Sequence, residues 1–355
     1  MKPINELALT VTEIVPMLKA VMGADLVPFV KGSPGIGKSS IGNQIAKDIN
    51  YKMIDVRLSQ SDPTDLNGFP FPNRETGKGE YLPMDTFPVL GDDLPDKYDD
   101  EGKVIGKYDG WFIFLDEFNS APLMVQAAAY KLVLDRMVGQ HKLHSSTVLM
   151  CAGNLETDGA ITNRMSTAMQ SRLVHLELKT SLPCWLKWAY DFGIDHRITS
   201  FLEFRPEKLN SFDPNHSDVT FPCERTWEFM SRIIKDEDVN FGLMPLYAGT
   251  IGKGGAADFL TFVKIYKDLT SFSEIIRNPK GVDVPTAPGT LYALAGLVGE
   301  SVTESTIEKA FVFLERLPIE FQVITMRRIF GKKTVTINNP ELAKWLIKNG
   351  KELYS

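Results

Sequence analysis

The sequence predicts an α/β fold, a parallel sheet flanked by helices, followed by a helical C-terminal half. Apolar runs that resemble buried strands alternate with helical patterns over the first 181 residues. From about residue 182 the strand patterns fade and helical spacing predominates. Polar residues follow several of the strand runs directly. Because open parallel sheets hold ligands at the carboxyl ends of their strands, these polar residues are expected to share one site.

Five apolar runs predict the strands of this sheet. They cover residues 26–31, 51–58, 111–117, 147–154 and 173–178. The third and fourth are apolar on successive residues, which is typical of strands covered by helices on both faces, whereas the last alternates. Helical spacing of apolar residues predicts helices at 11–21, from 38 to about 50, and at 122–137.

Residues 60–110 interrupt this alternation. They are dense in Asp, Pro and Gly and lack helical periodicity, and so long an insert in a compact domain is usually functional or disordered. The pieces 69–73 and 80–83 predict a hairpin. The acidic stretch 91–110 predicts a solvated surface loop.

The C-terminal half predicts helices at 183–192, 197–203, 224–235, 256–267, 304–317 and 340–353. Prolines and small residues at 278–289 suggest a softer boundary near 280. The predicted domains are therefore a core at 1–181 that includes the insert, a helical domain at 182–280 and a helical extension at 281–355.

Composition narrows the class of protein. The formal charge of −6 over 355 residues argues against a dedicated nucleic-acid binder, which usually has a basic excess. Three cysteines without C-x-x-C spacing argue against a disulfide framework and a zinc site, and fit a reducing cytoplasm. No apolar stretch approaches 18 residues, so no membrane span is expected. We expect a cytoplasmic protein.

A glycine-rich turn between the first strand and the next helix matches the phosphate-loop pattern G-x-x-x-x-G-K-[ST]. Its glycines let backbone N–H groups surround a phosphate, and the helix start adds a positive dipole end. Lys38 would reach the β- and γ-phosphates, and the Ser39 hydroxyl would hold Mg²⁺. The predicted phosphate-binding residues are Gly32, Ser33, Pro34, Gly35, Ile36, Gly37, Lys38, Ser39 and Ser40.

Two acids end the third predicted strand. Asp116 would bind Mg²⁺ through its water shell, since carboxylate oxygens suit this hard cation. Glu117 would polarise the attacking water. Phosphoryl transfer needs mainly positioning and charge stabilisation, so one carboxylate and one metal ion suffice.

Further polar residues complete the predicted site. Asn154 follows the fourth strand, where its amide would orient the water or touch the γ-phosphate. Arg172 precedes the last strand and would serve a neighbouring subunit as an arginine finger, worth about 10³–10⁵ in rate where such fingers are measured. Arg164 is the rival candidate. Arg225 opens a helix of the second domain and would reach the phosphates as that domain closes.

With these motifs in place, the sequence resembles the AAA+ ATPases, specifically their MoxR-like branch. The resemblance rests on residues 32–39 and on Ser-Gln-Ser-Asp-Pro-Thr-Asp-Leu-Asn-Gly-Phe-Pro at 59–70. It also rests on Asp-Glu-Phe-Asn-Ser-Ala-Pro at 116–122, Ala-Gly-Asn at 152–154 and Ser-Arg-Leu-Val-His-Leu at 171–176. Glu-Arg-Thr-Trp-Glu at 224–228 is similar to the Pro-Arg-Thr-Trp motif of the family's lid, with Glu224 in place of the proline.

The resemblance implies ATP rather than GTP, an AAA+ core with a helical lid, and a ring, usually a hexamer, with ATP held between subunits. Arg172 would then act in trans. The insert would point to the central pore, with Phe69, Phe71 and Tyr81 as candidate pore-facing aromatics. Family members often act as chaperones on a protein client, together with a von Willebrand A-type partner that here would be another chain.

Two other functions share the same core. A nucleic-acid motor or loader is disfavoured by the acidic balance, although Arg74 and Lys78 at the hairpin tip would be able to touch phosphates. A scaffold that binds nucleotide without hydrolysis is disfavoured by Asp116, Glu117 and Asn154.

Overall fold

The computed structural model describes residues 7–159, 163, 165–216, 218–331 and 340–353. The chain divides into two compact units, residues 1–180 and 181–355, which are described here one at a time. No helix of the described residues is long and apolar enough to cross a membrane.

The first unit contains eleven strands and five helices among its described residues. The strands are β1 (Val27–Lys31), β2 (Tyr51–Arg57), β3 (Phe69–Asn73), β4 (Lys78–Leu82), β5 (Asp96–Tyr98), β6 (Val104–Lys107), β7 (Gly110–Asp116), β8 (Met137–Val138), β9 (His141–Lys142), β10 (Thr147–Gly153) and β11 (Leu173–Glu177). The helices are α1 (Val11–Gly23), α2 (Lys38–Asp48), α3 (Pro63–Asn67), α4 (Leu123–Leu134) and α5 (Thr167–Gln170).

Five of these strands form one sheet in the order β11-β1-β10-β7-β2. Every neighbouring pair in this sheet is parallel. The predicted fold class is therefore confirmed, and all five predicted strands are present within one or two residues of their expected bounds. Since the strands are parallel, the residues that follow β1, β7 and β10 meet at one edge.

Apolar cores cover both faces of the sheet. Strand β7 contributes side chains to both cores, which explains why its sequence is apolar throughout. Phe114 belongs to the core shared with Ile45 of α2, and a Cβ on Gly42 of the same helix would lie 3.1 Å from the Phe114 ring. The next residue along, Leu115, belongs to the core on the opposite face with Leu132 of α4. Alternate side chains thus enter two different cores, and a large apolar side chain contributes about 1.5–3 kcal/mol by such burial.

The insert is more regular than its sequence predicts. The predicted hairpin is present, because β3 and β4 pair antiparallel. The acidic stretch also contains a hairpin, β5 with β6, which the expectation of a plain loop missed. Its turn is built locally: the Asp99 carboxylate accepts from the backbone N–H groups of Glu101 and Lys103, and Gly102 has a φ of +80°. Such Asp- and Gly-directed turns suit short hairpins.

The described residues of the second unit contain helices joined by irregular connections and no strand. Its helices are α6 (Leu182–Phe192), α7 (His196–Phe204), α8 (Glu224–Ile234), α9 (Met244–Lys267), α10 (Phe272–Arg277), α11 (Pro288–Ser301), α12 (Ile307–Leu314), α13 (Ile319–Gly331) and α14 (Pro340–Asn349). Trp227 lies in one apolar core and Phe313 in another. Helix α11 contributes to both, through Ala293 to the first and Leu294 to the second. The separate lid and C-terminal extension stay predictions.

A buried ion pair joins α7 to α13 inside this unit. Arg328 donates to Glu203 at 2.6 Å, and the two side chains are 3% and 7% exposed. Tyr190 of α6 donates to the other oxygen of Glu203 at 2.6 Å. Burial alone would lower the pKa of Arg328, but the Glu203 carboxylate outweighs it and the pKa is raised. Arg328 therefore stays charged, and its contact with Glu203 helps to link three helices.

Candidate nucleotide-binding site

The predicted phosphate loop connects β1 to the first turn of α2. Gly35 has a φ of +78° and Gly37 a φ of +97°, left-handed conformations that other residues adopt only with strain. Gly37 is also the N-cap of α2, and no side chain of the described residues caps the helix there. The start of α2 therefore presents its positive dipole end at this loop, which favours an anion there.

The Lys38 ammonium lies against this loop and is largely buried, with 9% of the residue exposed. It donates to the backbone carbonyls of Gly32 at 2.7 Å and Ser33 at 3.2 Å, and to Asn154 Oδ1 at 3.2 Å. Lys38 and Asn154 are predicted to share one site, and the structure brings them into contact across 116 residues of chain.

The two predicted metal ligands also meet. Ser39 Oγ donates to Asp116 Oδ2 at 3.2 Å. Two oxygens on adjacent corners of an octahedral Mg²⁺ lie about 2.9 Å apart when each bond is about 2.0–2.1 Å. The spacing and the chemistry of the Ser39 hydroxyl and the Asp116 carboxylate therefore suit contact with a Mg²⁺ ion, either directly or through a water molecule bound to it.

Glu117 follows Asp116 in a strained conformation. Its φ is +54°, which costs a non-glycine residue about 1–2 kcal/mol. Its N–H donates to Asp116 Oδ1 at 2.8 Å, and its carboxylate accepts a hydrogen bond from Ser59 Oγ. Ser59 lies in the turn that follows β2. Sequence reasoning gave Ser59 no role, although its position just after a strand end was the available signal.

A second residue without a predicted role joins two strand ends. The Asn119 side chain donates to the Asn154 carbonyl at 2.8 Å and accepts from the Asn154 N–H at 3.1 Å. Asn119 lies in the short 3-10 turn after Glu117 and is 5% exposed. Its signal in the sequence was a polar residue two positions beyond the acidic pair.

Asp55 is a third carboxylate near the acidic pair. It lies on β2, beside Phe114 of β7 in the register of the sheet. Burial raises its pKa, and the nearby charges of Asp116 and Glu117 raise it further. Sequence reasoning missed Asp55 because it lies inside a predicted strand rather than at its end.

The predicted arginines are placed differently. Arg172 is exposed; it donates to the Ala168 carbonyl at 2.9 Å, and its guanidinium lies 5.5 Å from the centre of the Tyr130 ring. Arg164 lies outside the described residues. Arg225 is exposed in the first turn of α8, in the second unit. The roles of Arg172 and Arg225 stay predictions.

No family model matches the chain, and no curated protein matches it. Solved structures that are similar to this chain at low identity include the following three. A candidate ATPase from Cytophaga hutchinsonii is 13% identical over 90% of this chain and 81% of its own, with a TM-score of 0.36. The RuvB Holliday junction branch migration motor of Thermotoga maritima is 15% identical over 86% of each chain, with a TM-score of 0.35. A point mutant of that RuvB is 15% identical over 82% of this chain and 85% of its own, with a TM-score of 0.39. Likeness at this level says nothing about activity, which has to be inferred from the residues of this chain.

Proposed function

We propose that this protein is a Mg²⁺-dependent ATP hydrolase of the AAA+ type, in the MoxR-like branch. The observation that carries the proposal is the meeting of Ser39 and Asp116 beside a phosphate loop whose lysine contacts Asn154. Loop, hydroxyl, carboxylate and amide come from three different strand ends of one sheet. A structural turn has no need of this combination. The preference for ATP rests on the family resemblance.

In this proposal each residue has a separate task. The loop N–H groups and Lys38 would bind the phosphates, and Ser39 and Asp116 would hold Mg²⁺, whose positive charge would offset the negative charge of the phosphate oxygens. Glu117 takes a proton from the attacking water, and Ser59 fixes the direction of its carboxylate. Asn154 positions the water or the γ-phosphate.

We further propose a cytoplasmic ring, usually a hexamer in the family, in which Arg172 reaches the ATP of the adjacent subunit and Arg225 reaches that of its own. Its work would be remodelling of a protein client, together with a von Willebrand A-type partner on another chain. Exposed aromatics on the insert support contact with a client: Phe69, Phe71 and Tyr81 are 56%, 55% and 42% exposed. Phe69 and Phe71 lie on one face of the hairpin, and Tyr81, which pairs with Pro70, lies on the other. Exposed large apolar side chains are typical of protein-binding surfaces.

Replacing Lys38 by alanine is expected to weaken ATP binding about tenfold or more, because a hydrogen bond to a charged group is worth about 1.5–3 kcal/mol. Titration of a fluorescent ATP analogue measures the Kd. Lys47→Ala, at the far end of the same helix, is the matched control and is expected to leave the Kd unchanged. Equal Kd values for wild type and Lys38→Ala would contradict the phosphate-loop assignment.

The experiment that tests the shared site is ATP turnover per subunit as a function of protein concentration. If the site is completed by a neighbour, specific activity climbs with concentration for wild type and stays low for Arg172→Ala. Arg232→Ala removes another exposed arginine, on α8, and serves as the control. Turnover that is independent of both concentration and Arg172 would refute this finger; Arg164 would be tested next.

A further inference from the structure

We infer that Asn119 is a positioning residue that holds Asn154 at a fixed place relative to Glu117. This inference rests on the proposed ATP hydrolysis and adds Asn119 to the residues on which hydrolysis depends. Asn119 touches neither phosphate nor metal in this scheme. Its effect on hydrolysis is exerted through Asn154.

The contact is a paired one. One Asn119 amide both donates to the Asn154 carbonyl and accepts from the Asn154 N–H, so the side chain pairs with that backbone as a neighbouring strand would. Two bonds to one peptide segment fix its orientation as well as its distance. The side chain of Asn154, which accepts from Lys38, therefore starts from a fixed backbone.

The surrounding packing confines Asn119 to this arrangement. A Cβ on Gly153 would lie 2.3 Å from Asn119 Oδ1, so only glycine at position 153 admits the amide. The Asn119 carbonyl also accepts from the N–H of Asn163 at 2.6 Å. Asn119 is thus held from two sides.

Asn119 is also tied to Glu117 through a tight turn. The Glu117 carbonyl accepts from the N–H groups of Ser120 and Ala121, at 2.9 and 3.1 Å, so only a few bonds of constrained backbone separate the two side chains. The Asn119 contact therefore sets the spacing between the proposed base, Glu117, which follows β7, and the amide of Asn154, which follows β10. A displacement of about 1 Å in such a constellation lowers rates about a hundredfold.

The test compares wild type, Asn119→Asp and Asn119→Ala in ATP turnover, Kd for an ATP analogue and thermal midpoint. Aspartate keeps the size and the acceptor but, when ionised, cannot donate to the Asn154 carbonyl. The matched control is Gln126→Glu, since Gln126 is also buried and its amide also donates to a backbone carbonyl, that of Ala121, at 3.1 Å. Gln126 and Ala121 are only five residues apart, so this hydrogen bond, unlike that of Asn119, does not connect the ends of two strands.

The expected result is a fall in kcat of about tenfold or more in both Asn119 variants, with Kd for the nucleotide within about threefold of wild type. Gln126→Glu is expected to lower the thermal midpoint about as much as the Asn119 variants do, while its kcat stays within about threefold of wild type. Unchanged kcat in Asn119→Asp, or equal losses of kcat in Gln126→Glu, would overturn the inference. Absence of turnover in the wild type would instead refute the proposed hydrolysis itself.

Discussion

Replacing Glu117 by glutamine is expected to lower ATP hydrolysis at least about a hundredfold while leaving the Kd for ATP within about threefold of wild type. General bases typically contribute about 10²–10⁴ in rate, and an amide cannot take the proton. Glutamine keeps the shape of the side chain and still offers an oxygen to Ser59, so the strained turn is preserved. Phosphate release gives the rate, and titration of a non-hydrolysed ATP analogue gives the affinity.

The control for this variant is Glu75→Gln in the turn between β3 and β4, where the side chain is exposed. It loses the same charge far along the chain from the acidic pair and should hydrolyse ATP at the wild-type rate. Normal turnover by Glu117→Gln would exclude Glu117 as the base. A parallel loss of affinity and rate would mean that Glu117 acts in binding instead.

The second large effect is expected in the helical unit. Glu203→Ala leaves the Arg328 guanidinium buried without its carboxylate, and breaking a buried pair in this way costs about 3–5 kcal/mol. Tyr190 loses its acceptor in the same variant. The free energy of unfolding of this unit is therefore expected to fall by about that amount.

Denaturant unfolding followed by tryptophan fluorescence measures this effect, because four of the five tryptophans lie in residues 181–355. The control is Arg232→Ala, which breaks the exposed pair with Glu228 and should cost less than about 1 kcal/mol. If Glu203→Ala unfolds at the wild-type denaturant concentration, the pair contributes nothing net. The double variant Glu203→Leu with Arg328→Met should recover most of the loss, since it leaves no unpaired charge.

The predictable part of the fold was the part governed by short-range patterns. Strands such as β7 were recognisable because both of their faces are buried. The phosphate-loop pattern located Lys38, and strand ends located Asp116 and Asn154. The site residues that were missed act through contacts between distant segments: Ser59 with Glu117, and Asn119 with Asn154. Local sequence shows that Ser59 and Asn119 are polar and lie close to strand ends, but it does not show which distant residue each of them contacts.

Glycines explain the outcome of the sequence-based prediction at two helices of the second unit. Helix α11 was not predicted because it carries glycines at 296 and 299, which ordinarily disfavour helix. A Cβ on Gly296 would lie 2.0 Å from Ser200 Oγ, and one on Gly299 would lie 3.0 Å from Arg328 Cβ. Close packing, rather than propensity, selects glycine there. Helix α9 is broken at Ile251 and Gly252, where the backbone is not helical and Gly252 has a φ of +73°, and the predicted helix at 256–267 corresponds to the part after this break.

The strand order has a consequence for how the chain is made. β1 leaves the ribosome first, yet its two neighbours, β10 and β11, begin at Thr147 and Leu173. Since synthesis proceeds at about 5–20 residues per second, several seconds pass between the synthesis of β1 and that of either neighbouring strand. Over that interval the backbone edges of β1 have no neighbouring strand, although α1 and α2, which share a core with β1, have already been made. Contacts so distant in sequence close slowly. Binding of a chaperone to the nascent chain would therefore be most useful after β1 has left the ribosome and before β11 has done so.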